Sequence, residues 1–208
     1  MTKLRGAIRH RLMLEVAQLK APEQVAITNA LQLAEKAHDG QLRKPSKENP
    51  KGEPYIVHPM RVALVLIEEL GLKDHAAICA ALLHDVIEDT DGRIGVGHIE
   101  EQFGKTVALM VSVLTKPPAK PNIERALQLK VYYDRISKSN IPTRLVKLAD
   151  RLDNLRDIVE INDRDFQKQY LEETREIYLP LAEEADDYLR DEIEVLCEKL
   201  DQLLVKAK

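Results

Sequence analysis

Apolar residues recur along this chain at the three- and four-residue spacing of a helix face, and strict apolar/polar alternation persists nowhere. That periodicity predicts an all-α protein. A first amphipathic helix is expected over about residues 3–20, and a second from Pro22 toward His38 with Ile27, Leu31, Ala34 and Ala37 on one side. Residues 40–55 interrupt the pattern with Pro45, Pro50, Gly52 and Pro54 among Lys44, Lys47 and Lys51, which reads as an exposed, mobile loop. Pro59 suits the first position of the next helix, making His58 its cap and Gly71 its stop. Asp74 caps the helix after it, whose apolar run 78–83 leads directly into His84 and Asp85.

Gly92, Gly95 and Gly97 precede a short helix ending at Gly104, and residues 105–114 form another. Pro117, Pro118 and Pro121 separate these from a helix over about residues 123–137. Ile141, Leu145, Leu148, Leu152, Leu155 and Ile158 then trace one apolar stripe with Pro142 near its start. Two further amphipathic helices, the second carrying Leu189, Leu196, Leu200 and Leu203, are expected to part near Pro180.

Composition narrows the class. With 44% hydrophobic residues, 208 residues can bury a full core in a single domain, 1–208, and 4% aromatic content without Trp agrees with the scarcity of strand signals. A net charge of -4 disfavours a nucleic-acid partner, while a compact anionic ligand held by a local basic patch stays open. Cys79 and Cys197 sit in helical apolar patterns and read as buried free thiols in a reducing compartment. The basic N-terminus (Lys3, Arg5, Arg9, Arg11) lacks the apolar core of a secretory signal, and no apolar run is long enough to cross a bilayer. Cytoplasmic location without a membrane partner is the expectation. The oligomeric state stays open, because the terminal stripes can pack on the core or on another subunit.

The chemistry is concentrated where the apolar run ends, in His84, Asp85, Glu88 and Asp89. Imidazole and carboxylate together suit divalent Mn, Fe, Zn or Mg. His58, His84, Asp85 and Asp150 are the candidate ligands, drawn from three separate helices. Glu88 follows His84 by one helical turn and Asp89 follows Asp85 likewise, where a carboxylate could align or deprotonate a water activated by the ion. An ordinary solvated helix end is the rival reading. Lys147, Asp150 and Asn154 share the face opposite the 145–158 stripe, which suits phosphate, metal and a base or sugar together, or else a simple ion-pair face.

Four blocks in the same order carry a resemblance. They are Ala37-His38-Asp39-Gly40-Gln41 with Arg43-Lys44; Gly52-Glu53-Pro54-Tyr55-Ile56-Val57-His58-Pro59; Ala81-Leu82-Leu83-His84-Asp85-Val86-Ile87-Glu88-Asp89-Thr90; and Lys147-Leu148-Ala149-Asp150-Arg151 with Asn154. Over roughly residues 25–185 the chain resembles the hydrolase domain of RelA/SpoT proteins, and in size a stand-alone small alarmone hydrolase. The resemblance implies an HD-domain bundle of roughly eight to ten helices with terminal helices packed on that core. It also implies a pyrophosphohydrolase that removes the 3′-diphosphate of guanosine tetra- and pentaphosphate, usually with Mn2+.

Carried over by motif, His58, His84, Asp85 and Asp150 would hold the metal, and Glu88 and Asp89 would position and activate water. Arg43, Lys44 and Asn154 would meet the nucleotide, with Lys147 and Tyr178 as further contacts; a surface charge and a core tyrosine are their rival readings. Two departures stand out. Residues 45–52 exceed the short Lys-Ser-Gly link of the long family members, which leaves base preference open among guanosine alarmones, adenosine alarmones and the NADPH 2′-phosphate. Asp153 also replaces a histidine often found before the asparagine. A non-catalytic nucleotide-binding HD domain is the rival of another class, and the intact acidic pair argues against it.

Overall fold

A computed structural model describes residues 3–45, 50–90, 92–119, 124–161 and 163–206. Its helices are α1 Lys3–Val16, α2 Ala21–Ala37, α3 Val57–Leu64, α4 His75–Leu83, α5 Val96–Leu114, α6 Arg125–Ser137, α7 Ile141–Ile158, α8 Arg164–Glu173, α9 Leu179–Glu183 and α10 Asp187–Lys206. Among the described residues there is no strand, only an isolated antiparallel bridge between Leu42 and Pro54. The all-α expectation holds.

Every residue of α4 from Ala76 to Leu83 is buried, as a helix that is apolar all round requires. Around it pack α2, α3, α5 and α7, so the segment that follows α4 emerges in the middle of the bundle. Helix α1 lies on α3, α6 on α5 and α7, and α10 covers α7, α8 and α9 while burying Leu189, Ile193, Cys197 and Leu200. Both cysteines are free and buried. No helix among the described residues is long and apolar enough to cross a membrane.

Side-chain caps set several starts. Asp74 accepts from the Ala76 and Ala77 amides at 2.8 and 3.3 Å, Asn140 from Thr143 at 3.0 Å, and Asp163 from Phe166 at 3.0 Å. Each such cap contributes about 1 kcal/mol.

The structure corrects several boundaries. Helix α1 stops at Val16 rather than running to residue 20, because the chain turns there and Pro22 opens α2. His58 is not a cap: α3 starts at Val57, so His58 and Pro59 both lie in the first turn, where the missing proline N–H costs nothing. The helix of Asp74 ends at Leu83, and the chain carries His84 to Thr90 through successive turns, beginning with Val86 N–H to Leu83 O at 3.1 Å. The helices expected on either side of Gly104 are joined end to end, with a break at that glycine, φ 81°. The start expected near Ile123 and the break at Pro121 lie outside the described residues.

Pro180 opens α9 instead of separating two helices. A π turn, Thr174–Tyr178, precedes it, with Leu179 N–H reaching back to Thr174 O; this widened turn accommodates a residue that cannot donate. The break between α9 and α10 therefore falls after Glu183.

The 40–55 loop is closed at its neck. Arg43 N–H donates to Glu53 O at 2.8 Å and Tyr55 N–H to Gln41 O at 2.9 Å. Gly52 sits there at φ 74°, and a side-chain carbon in its place would collide with the Arg43 carbonyl oxygen. Residues 46–49, part of the predicted mobile stretch, lie outside the described residues.

Candidate metal centre and adjoining cavity

His58 from the first turn of α3, His84 and Asp85 from the end of α4, and Asp150 from the middle of α7 meet inside the bundle. One ligand atom each of His58, His84 and Asp150 lies within 4.8 Å of the others. His58 Nε2 is 3.1 Å from Asp150 Oδ1, and His84 Nε2 is 3.7 Å from it. Asp85 Oδ2 stands 3.0 Å from His84 Nε2 and 4.0 Å from His58 Nε2.

The far side of each ring decides what the near side can do. His84 Nδ1 bonds the Ala81 carbonyl oxygen at 2.8 Å, and His58 Nδ1 bonds Asp153 Oδ2 at 2.6 Å. Both Nδ1 atoms therefore carry the proton of a neutral ring, which leaves a lone pair on each Nε2. Two lone pairs and the Asp150 carboxylate then converge, with the Asp85 carboxylate beside His84. Among the described residues, buried His84 Nε2 has no hydrogen-bond partner. Acceptors packed in this way need a cation, and nitrogen with carboxylate oxygen is the donor set of a borderline or hard divalent ion.

A proton is the competing cation. Burial opposes a charged His84 ring, but the Asp85 and Asp150 carboxylates outweigh it and push the group up to about 9. Asp85, despite its own desolvation, is held well below the usual carboxylate range by His84. Burial likewise opposes the charge on Asp150, and Lys147, 2.8 Å away, leads the interactions that keep the carboxyl ionised.

Around these four groups a second set of side chains fixes their direction. Tyr55 O–H donates to Asp85 Oδ2 at 2.5 Å, and the Asn154 amide donates to Asp150 Oδ1 at 2.6 Å. Asp153 also receives Arg61, with Nε at 2.7 Å. Tyr55, Arg61 and the bonding of Asp153 were not assigned from sequence. Tyr55 lay within a recognised block, but nothing in the spacing paired it with Asp85.

Glu88 accepts a short hydrogen bond from the Lys116 backbone N–H. Burial raises its carboxyl to about 7; the Lys116 amide pulls back and the Asp85 charge adds to the rise. Asp89 turns to His38, whose Nδ1 lies 3.3 Å from Asp89 Oδ2 and 2.8 Å from Gln41 Oε1.

Beside the cluster opens a cavity of about 710 Å3 whose lining includes Arg43, Lys44, Tyr55, Asn154, Phe166 and Tyr170. Tyr55 and Asn154 belong to both, since each bonds an aspartate of the cluster. Arg43 Nη2 donates to Asn154 Oδ1 at 2.8 Å and its Nε pairs with Asp157 at 2.9 Å. Lys44 Nζ lies 3.5 Å from the Phe166 ring centroid. Two residues expected at the nucleotide do not line this cavity. Lys147 is turned onto Asp150, and Tyr178 is buried under the Arg151 guanidinium, lining a smaller cavity with Tyr133 and Pro180.

Comparison with known families places this architecture. The family model described as HD domain matches residues 30–186. The chain belongs to the HD-domain family. Its relatives put this HD domain among the RelA/SpoT-type proteins. It is 42% identical over 159 residues to the guanosine-3′,5′-bis(diphosphate) 3′-pyrophosphohydrolase of Aquifex aeolicus, covering 75% of the chain and 21% of that protein. It is 38% identical over 136 residues to the human hydrolase MESH1, covering 65% of the chain and 71% of the relative. Its match to MESH1 of Xenopus tropicalis is 34% identical and covers 86% and 93%. The HD domain thus spans about a fifth of the long relatives and most of the short ones. A solved metazoan SpoT ortholog described as hydrolysing ppGpp superposes with a TM-score of 0.72 at 27% identity, covering 84% of this chain and 94% of that one.

Proposed function

We propose that this protein is a metal-dependent pyrophosphohydrolase that removes the 3′-diphosphate of guanosine tetra- and pentaphosphate, giving GDP or GTP and pyrophosphate. The carrying observation is the convergence of two imidazole lone pairs and the Asp150 carboxylate, with Asp85 alongside, next to a nucleotide-sized cavity. His58, His84, Asp85 and Asp150 would hold the ion, Mn2+ or another divalent metal such as Fe, Zn or Mg. Such an ion, when bound, polarises a phosphoryl oxygen and lowers the pKa of water.

The chain's own residues supply the rest. Glu88, with a proton affinity poised near neutrality, takes the proton of the attacking water, and Asp89, braced by His38, helps orient that water. Tyr55 keeps Asp85 from turning away, and Lys147 offsets the charge of Asp150. Arg43 and Asn154 reach from the cavity wall toward the nucleoside, while Lys44 offers charge to phosphate. The cavity is large enough to enclose a nucleotide. Residues 1–208 act as one domain in the cytoplasm, on a small-molecule nucleotide rather than nucleic acid.

The test is direct: purified protein with guanosine tetraphosphate and Mn2+ should release pyrophosphate and GDP, and EDTA should stop it. Adenosine tetraphosphate of the same 3′-diphosphate pattern and NADPH serve as comparison substrates. Faster turnover of either would reassign the substrate, and no turnover of any would remove the enzymatic reading.

A further inference from the structure

Asp153 is one of the most buried charges in the molecule, 2% exposed, and it sits behind His58. Its Oδ2 accepts from His58 Nδ1 at 2.6 Å. Arg61 grips the same carboxylate with two donors, Nε to Oδ1 at 2.7 Å and Nη2 to Oδ2 at 3.2 Å. Arg61 is itself held by Glu53 at 2.6 Å and Asp157 at 2.8 Å. An ionised carboxylate this deep costs several kcal/mol in lost hydration unless its bonds compensate, and here the guanidinium and the imidazole saturate both oxygens.

The two histidines of the cluster differ on this point. His84 is oriented by a backbone carbonyl, whereas His58 depends on a side chain of α7, 95 residues away in sequence. A partner on the far nitrogen fixes a ligating histidine's tautomer and ring orientation and raises its basicity.

Building on the reading of the cluster as a metal site, we infer that Asp153 and Arg61 are positioning residues for the ion. Asp153 locks His58 in the tautomer whose Nε2 lone pair faces the cation, and the Arg61 fork keeps the carboxylate turned to the ring. Asp153 does not line the cavity, whereas Arg61 does, so both are judged by metal binding in the absence of nucleotide.

The test is Asp153→Asn, which preserves shape. Arg61 then claims the amide oxygen and turns the amide N–H toward His58 Nδ1, which can accept only by moving its proton to Nε2. In the metal-free protein, 15N NMR of the histidine rings should show His58 protonated at Nδ1 in the wild type and at Nε2 in the variant. Mn2+ affinity, measured by competition with a chelating dye, should fall about 10- to 100-fold. A folded variant with His58 still protonated at Nδ1, or with wild-type Mn2+ affinity, would overturn the assignment. Should Asp153→Asn not fold, Arg61→Lys keeps the charge but loses the fork. Mn2+ affinity lowered several-fold supports the inference, and unchanged affinity overturns it. A wild type that binds no Mn2+ would instead sink the metal reading, while the tautomer in the metal-free protein still judges Asp153.

Discussion

The cluster and the cavity beside it are built by opposite means. Each donor of the cluster comes from a packed helix or its end and is aimed by a second bond: His58 by Asp153, His84 by Ala81, Asp85 by Tyr55, Asp150 by Lys147 and Asn154. The cavity draws Arg43 and Lys44 from a loop, and Phe166 and Tyr170 from α8. Arg43 is occupied by Asp157 and Asn154, bonds that a ligand can exchange for its own. Rigid chemistry thus stands next to adaptable recognition. Changes in the first region should act on metal and rate, and changes in the second on KM.

The largest effect belongs to Asp85→Ala, which removes a carboxylate from the cluster: Mn2+ binding and turnover should both disappear, read by metal content after gel filtration and by pyrophosphate release. Retained activity would mean that the two regions are not divided as described. Next comes Glu88→Gln, which should keep Mn2+ affinity and lower kcat by about 10^2- to 10^4-fold.

The pH profile sharpens the same assignment. A general base must be deprotonated to act, and the Glu88 carboxyl is raised to about 7, so kcat should fall as pH drops through that value or, with a cation nearby, below it. In Glu88→Gln the residual rate should lose this limb. A limb that survives the substitution would move the base elsewhere.

On the cavity side, Arg43→Ala should raise KM about tenfold with Mn2+ affinity intact, the loss expected of a charged hydrogen bond to substrate. Tyr178→Phe should do the least. Because Tyr178 does not line the larger cavity, KM should stay within about twofold of wild type. A large rise in KM would bring that tyrosine back to the substrate.

How much of this was legible in the sequence follows the same division. The stripe from Ile141 to Ile158 and the all-apolar run before His84 announce their helices, because burial in this fold is written at helical spacing. The four groups at the cluster could be listed from their motif blocks. Their braces could not: His58 and Asp153 are 95 residues apart, and only packing of α3 against α7 joins them. Tyr178 illustrates the converse, since its place in the segment does not reveal that it lines the smaller cavity. The face shared by Lys147, Asp150 and Asn154, by contrast, follows from helical spacing and is where Lys147 and Asn154 both bond Asp150. Pro180 misled for a third reason, because a π turn ahead of it absorbs the lost hydrogen bond without ending the helical path.

The closed neck at Leu42 and Pro54 carries an engineering consequence. With Arg43 N–H tied to Glu53 O and Gly52 fitting beneath the Arg43 carbonyl, the neck fixes the backbone from which the Arg43 side chain projects. Doubling the span between the two sides of the neck costs only about 0.6 kcal/mol in closure entropy. This is therefore the place to graft a tag or a fluorescent reporter beside the larger cavity.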